Sequence, residues 1–165
     1  HIHDRRQRQM CIRDSIHCYL NIPDTSNRDS LFQAEARRCK DIIDIIDSDK
    51  SKTHFCIFDE LYSGTNPYEA VASALSYLSY LCGNKNIKFI LTTHYLELCK
   101  KLNIVQKHNI VNMHMKVDYN KTGDFEFTYK LVNKISSIKG GIKVLKDLHY
   151  PSKIIEATQK FINLK

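Results

Sequence analysis

Phe55-Cys56-Ile57-Phe58-Asp59-Glu60 is the stretch that decides how this chain folds. Four apolar residues run without polar alternation into two adjacent carboxylates. A strand with one wet face alternates apolar and polar residues, whereas a strand covered on both faces does not, so this run predicts an interior strand of a parallel sheet. The strand leaves the interior at Asp59 and Glu60.

Working outward, the same kind of run recurs at Ile87–Leu91, ending in Thr92-Thr93-His94, and a shorter apolar segment at Ile16–Ile22 is stopped by Pro23. Between them lie helical patterns. Ser30 with Gln33 three residues on has capping-box spacing and opens a helix over Leu31 to about Asp47. This helix is expected to bury Ile42, Ile45 and Ile46 and to turn Glu35, Arg37, Arg38 and Lys40 outward. Pro67 suits a helix first turn, and the helix through Ala70, Val71, Ala74, Leu75, Leu78 and Leu81 ends at Gly83. A short helix over Leu96–Leu102 follows. Ile110–Tyr119 and Phe125–Val132 alternate, with Val111, Met113, Met115 and Val117 on one face and Phe125, Phe127, Tyr129 and Leu131 on its partner's. Asn120–Asp124 joins them as a predicted hairpin loop. Two helices, about Ile142–Leu148 and Ser152–Ile162, close the chain. Buried strands alternating with helices give an α/β fold with a mainly parallel sheet flanked by helices, then a C-terminal β-hairpin and a helical tail.

At 165 residues, 42% hydrophobic and 26% charged, the chain has the size and balance of one globular domain. No apolar run is long enough to cross a bilayer, so no membrane partner is expected. Six cysteines without a Cys-x-x-Cys pair read as free thiols in a reducing compartment, which makes the expected location intracellular, in cytoplasm or nucleus or of viral origin, and not secreted. The net charge of +7 is compatible with a polyanionic partner. Residues 1–14 supply +2 of it and show no apolar period, cap or turn. Arg6–Asp14 resembles translated sequencing adaptor, so residues 1–14 are expected to be a non-native leader and 15–165 the domain proper.

Asp59 and Glu60 have two readings. At the carboxyl end of a parallel strand, a pair of carboxylates can hold Mg²⁺ (Asp59, directly or through water) and polarise a water that attacks a phosphate (Glu60, as general base). Equally, an Asp-Glu pair can cap the turn that follows. His94 stands after a neighbouring strand, whose carboxyl end lies on the same edge of a parallel sheet, and so can reach the same crevice and a γ-phosphate oxygen. The bland alternative is a loop histidine without a role.

The segments Asp59–Pro67 and Thr92–Leu98 resemble the ATPase domain of the MutS mismatch-recognition proteins, an ABC-type, P-loop NTPase-like fold. There, the nucleotide strand runs into Asp-Glu, then a Gly-Thr loop, then Thr-His-Tyr-x-Glu-Leu. Gly64-Thr65, Thr93-His94-Tyr95 and Glu97-Leu98 match. Tyr62-Ser63 and Asn66-Pro67 depart, standing where Gly-Arg and Ser-Thr are usual. Ser30-Leu31-Phe32-Gln33-Ala34-Glu35 resembles the family's Ser-Thr-Phe-x-x-Glu signature. Gly141-Ile142, Leu145, Leu148, Pro151 and Ile154–Ala157 resemble its tail, so that residues 139–165 are the expected helical tail. The likeness runs from about Ser15 to Lys165.

The resemblance implies ATP and Mg²⁺ as ligands. It makes Glu60 and His94 catalytic, and places Asp59, Ser30, Gly64 and Thr65 at the nucleotide. It implies a homo- or heterodimer of ATPase domains sandwiching two nucleotides, with Ser30 serving the partner's site and Tyr62–Asn66 at the dimer interface. The expected DNA partner is double-stranded and mismatched, bound mostly through domains upstream. None of the five glycines fits Gly-x-x-x-x-Gly-Lys-Ser/Thr, so the phosphate loop is expected before Ser15, and the chain by itself is expected to be inactive. Seven lysines between Lys130 and Lys160 read as a solvated helix face in preference to a DNA face. The alternatives are another ABC-type ATPase of DNA repair or chromosome maintenance, and a dimerisation module that does not hydrolyse.

Overall fold

A computed structural model describes residues 15–20, 30–105, 110–120, 124–138 and 140–163. The expected leader, the end of the first apolar segment and the middle of the hairpin loop lie outside these residues. The chain divides into two compact units, 1–112 and 113–165.

In the first unit, three parallel strands, β1 (Ser15–Tyr19), β2 (His54–Asp59) and β3 (Ile87–Thr92), stand side by side in chain order. Tyr19 pairs with Phe58, Phe58 with Leu91, and Asp59 with Thr92. Helices α1 (Leu31–Ser48), α2 (Pro67–Cys82) and α3 (Leu96–Val105) alternate with the strands. Tyr19, Cys56 and Phe58 from the strands meet Cys39, Ile42 and Ile46 of α1, the Ala70–Leu81 stripe of α2, and Leu98 and Leu102 of α3 in one core. Phe58 is its centre: its ring lies 5.7 Å from Tyr77, 6.2 Å from Phe89 and 6.3 Å from Tyr19.

Two expectations about burial are revised. The apolar runs of β2 and β3 predict cover on both faces, yet among the described residues the second face is only partly covered: Phe55 and Ile57 of β2 are half-buried, and Ile16 and Ile90 on the flanking strands are 71% and 57% exposed. All three helices contribute to the single core, and a strand's alternate residues need a second layer to be buried. On α1, Ile45 is exposed and Glu35 is buried. The helical period places Glu35, Cys39, Ile42 and Ile46 on one stripe, and Ile45 falls beside it.

The α1 N-terminus forms as its sequence predicts. The Ser30 hydroxyl accepts from Gln33 N–H (3.3 Å), and the Gln33 side chain accepts from Ser30 N–H (2.9 Å). Ser30→Ala is therefore expected to lower stability by about 1 kcal/mol, read as a drop in the urea midpoint with no nucleotide present. Arg38 donates twice to the Cys18 carbonyl and fastens α1 to β1. The thiols of Cys39 and Cys56 are pushed up to about 11 by burial, so both are neutral core groups, in line with the free-thiol reading.

A second polar tie crosses the other end of the sheet. His54 Nε2 lies 3.0 Å from the Asp49 carbonyl, which can only accept, so this nitrogen carries the proton. His54 Nδ1 then accepts from His17 Nε2 at 3.0 Å. Burial, with His54 and Arg38 nearby, lowers the pKa of His17 from its ordinary 6.5. The unfolded chain thus binds this proton more readily than the folded one. Stability is full above about pH 6.5 and is lost as pH falls below it. The urea midpoint is expected to fall between about pH 7.5 and about pH 5.5, and to fall less in His17→Gln, which keeps a donor for His54 but does not titrate there.

The second unit holds an antiparallel pair, β4 (Met113–Tyr119) and β5 (Phe125–Asn133), and two helices, α4 (Gly140–Asp147) and α5 (Ser152–Asn163). The expected regular alternation is interrupted. The register slips between Met115 and Val117, where Tyr129 opposite takes a left-handed φ of 55°. A bulge of this kind turns residues off the common face, and Phe127, Tyr129 and Leu131 are exposed. Lys143 is held by Asp124 (2.7 Å) and Asp147 (2.9 Å), as suits a solvated, ion-paired face. Among the described residues no helix is long and apolar enough to cross a membrane.

Candidate functional site

The carboxyl ends of β2 and β3 bring together Asp59, Glu60, Thr92 and His94. Asp59 and Thr92 are register partners, and the Thr92 hydroxyl donates to the Asp59 carboxylate. Glu60 N–H donates to the Thr92 carbonyl (3.0 Å) and extends the ladder by one bond. His94 Nδ1 lies 3.0 Å from Glu60 Oε1. The His94 and Glu60 side chains are 60% and 49% exposed, so the pair faces outward where a ligand can reach it. Of the residues the sequence singles out, Glu60 and His94 are thus in contact, and Asp59 is joined to Thr92 on the adjacent strand.

Local chemistry places His94. The Thr93 hydroxyl accepts from Tyr95 N–H (3.1 Å) and turns the chain into α3, while the Tyr95 ring packs 4.3 Å from His94. When neutral, His94 donates through Nδ1 to Glu60, which leaves Nε2 as an acceptor. It can donate to a phosphate oxygen through Nε2 only when doubly protonated or after leaving Glu60.

The turn that carries Glu60 is strained. Glu60 and Tyr62 have φ of 51° and 60°, in the left-handed region that costs a non-glycine residue roughly 1–2 kcal/mol. It is held from several sides. Leu61 is fully buried, and Tyr62 N–H donates to the Tyr19 hydroxyl (3.4 Å). Glu35 accepts from Ser63 N–H, the Ser63 hydroxyl and Gly64 N–H. A Cβ on Gly64 would lie 2.7 Å from both Leu31 Cγ and Phe32 N, so only glycine allows the turn to approach α1 this closely. The Thr65 hydroxyl donates to Glu69 (2.6 Å), and Asn66 caps α2 by accepting from Tyr68 and Glu69 N–H.

Gly64 and Thr65, expected at the nucleotide, lie in this turn, Gly64 against Leu31 and Phe32 and Thr65 bonded to Glu69. Ser30 stands at the start of α1, the helix against which Gly64 packs. Glu35, matched to the signature segment but expected on the outward face of α1, is instead a buried acceptor for this turn, a role sequence reasoning missed. Its signal was its place on the Cys39–Ile42–Ile46 stripe, at a spacing of four from Cys39.

The ligand atoms at Asp59 are oxygens, its carboxylate and the Thr92 hydroxyl. That suits a hard cation such as Mg²⁺, which keeps water and takes phosphate oxygens alongside one or two carboxylates. Among the described residues no three His, Cys, Asp or Glu side chains converge to hold a metal by themselves.

The chain is 26% identical over 163 residues to the protein named Endonuclease MutS2 of Bacillus cereus (strain B4264). It is 25% identical to that of Bacillus thuringiensis (strain Al Hakam) and 24% to that of Bacillus anthracis (strain A0248). Each match covers 99% of this chain and 20% of the relative, so the chain spans about a fifth of their length. The family model MutS domain V matches residues 5–165, which takes in every strand and helix described above, and the chain belongs to the MutS domain V family.

Proposed function

We propose that this chain is part of an ATP-hydrolysing module of a MutS-family DNA-repair protein, in which ATP binding and hydrolysis switch a dimer on double-stranded DNA. The observation that carries the reading is the meeting of Asp59, Thr92, Glu60 and His94 at the carboxyl edge of adjacent parallel strands, where α/β domains bind nucleotides.

Asp59, with Thr92 orienting its carboxylate, would hold Mg²⁺, which when bound offsets the charge that builds on the phosphates. Glu60 accepts the proton of the attacking water as the water oxygen bonds to the γ-phosphorus. The bond from that phosphorus to the bridging oxygen breaks, and ADP carries away the electron pair. His94 is poised to exchange partners. Drawn to a γ-phosphate oxygen, it releases Glu60 for the water. Ser30 and the α1 N-terminus suit an anion, by the hydroxyl and the helix dipole, and are assigned to the nucleotide of the partner subunit. Gly64 and Thr65 shape the turn between these two sites.

The matched relatives are called Endonuclease MutS2. That favours a parent protein of the MutS2 type over a mismatch-recognition protein. Binding of mismatched against fully paired duplex separates the two. The ATPase reading itself is tested by ATP turnover in a full-length protein containing this chain, with and without Glu60→Gln.

A further inference from the structure

We infer that Glu35 is a positioning residue that ties the turn carrying Glu60 to the N-terminus of α1, so that Glu60 and Ser30 shift as one unit. This rests on the proposed function of the site. Glu35 is only 2% exposed, and its carboxylate accepts three hydrogen bonds from one short segment. Ser63 N–H (3.0 Å) and the Ser63 hydroxyl (2.8 Å) reach Oε1, and Gly64 N–H (3.0 Å) reaches Oε2.

A buried carboxylate is a costly way to fill space. An apolar side chain of similar volume would pack the same stripe but leave three loop donors without their acceptor. What the carboxylate alone supplies is two oxygens that gather three loop donors. The segment they gather follows directly on Glu60 and Tyr62, whose left-handed backbones persist only where neighbours hold them. Its other end touches α1: Gly64 lies against Leu31 and Phe32, and the Phe32 and Tyr62 rings are 5.8 Å apart. Glu35 sits one and a half helical turns after Ser30 on that same rigid helix. The joint therefore connects the residue proposed to activate water in one site with the residue proposed to meet the phosphate in the other. A pull on the α1 N-terminus in one site changes the aim of Glu60 in its neighbour.

The test is ATP hydrolysis by a full-length protein containing this chain, as wild type, Glu35→Gln, Glu60→Gln and the double variant. Glutamine keeps the shape but sets an NH₂ against Gly64 N–H, donor against donor. Turnover is expected to fall about tenfold or more in Glu35→Gln with little change in KM, since misplacing a catalytic group by about 1 Å can cost on the order of 100-fold. In the Glu60→Gln background the same change should have no further effect on the residual rate, because Glu35 acts through Glu60. A merely structural role would lower both backgrounds alike. Unchanged turnover in Glu35→Gln, or a full additional loss in the double variant, overturns the inference and leaves the site reading standing. An inactive wild type, or full activity in Glu60→Gln, overturns the site reading and this inference with it. If Glu35→Gln does not fold, Ser63→Ala removes one of the three bonds at an exposed position. It should lower turnover in the wild-type background only, and an unchanged rate there sinks the idea.

Discussion

Glu60→Gln is expected to slow ATP hydrolysis by about 10²–10⁴-fold while ATP remains bound, the range attributed to a positioned general base. Glutamine has the same shape and can still accept from His94 Nδ1, so the turn and the His94 contact at 3.0 Å should survive. What is lost is the carboxylate's ability to take a proton from water. The measurement is single-turnover hydrolysis beside equilibrium ATP binding in a full-length protein containing this chain. Retained binding with lost chemistry assigns Glu60 to the chemical step. Unchanged turnover removes it from that role and returns the Asp59-Glu60 pair to the alternative of a turn cap.

The second large effect concerns the residue just before the pair. Phe58→Ala is expected to destabilise the fold by about 3–5 kcal/mol, the range for truncating a buried aromatic ring. Phe58 is 1% exposed and stands between Tyr19, Tyr77 and Phe89, so its removal leaves a cavity that three rings cannot readily close. Against a total stability of about 5–15 kcal/mol, such a loss leaves a substantial unfolded fraction in a marginal protein. It should appear as a large fall in the urea midpoint. Because Phe58 anchors the carboxyl end of β2, Asp59 and Glu60 should also lose definition before global unfolding, read as faster amide exchange at Glu60 than in Ser30→Ala. A midpoint within about 1 kcal/mol of wild type would show that the core does not centre on this ring.

Much of the first unit was legible from local pattern. The cap at Ser30, the stop at Gly83 and the strand ends at Asp59 and Thr92 follow from side-chain chemistry that acts within a few residues, and the structure places them there. The approach of His94 to Glu60 also followed, because parallel strands put their carboxyl ends on one edge. Three features were not legible. The partly covered second face of the sheet depends on where the helices pack, and an apolar run reads the same whether or not its second layer is at hand. The bulge at Tyr129 depends on cross-strand register, which the alternation of one strand does not specify. The role of Glu35 depends on a partner 28 residues away in the chain.

By itself, the sequence determined the order of strands and helices, the parallel sheet, and the pair of carboxylates at a strand end with a histidine beside them. These rest on periodicity and on short-range capping, which the chain carries at every position. Only the tertiary structure decided that Glu35 is an interior acceptor, that Gly64 lies against the start of α1, and that the Glu60 turn is held in a left-handed conformation. Charge and hydropathy assign a glutamate to solvent. It takes a fold that brings three unpaired donors to one helix face to make a buried carboxylate the better solution.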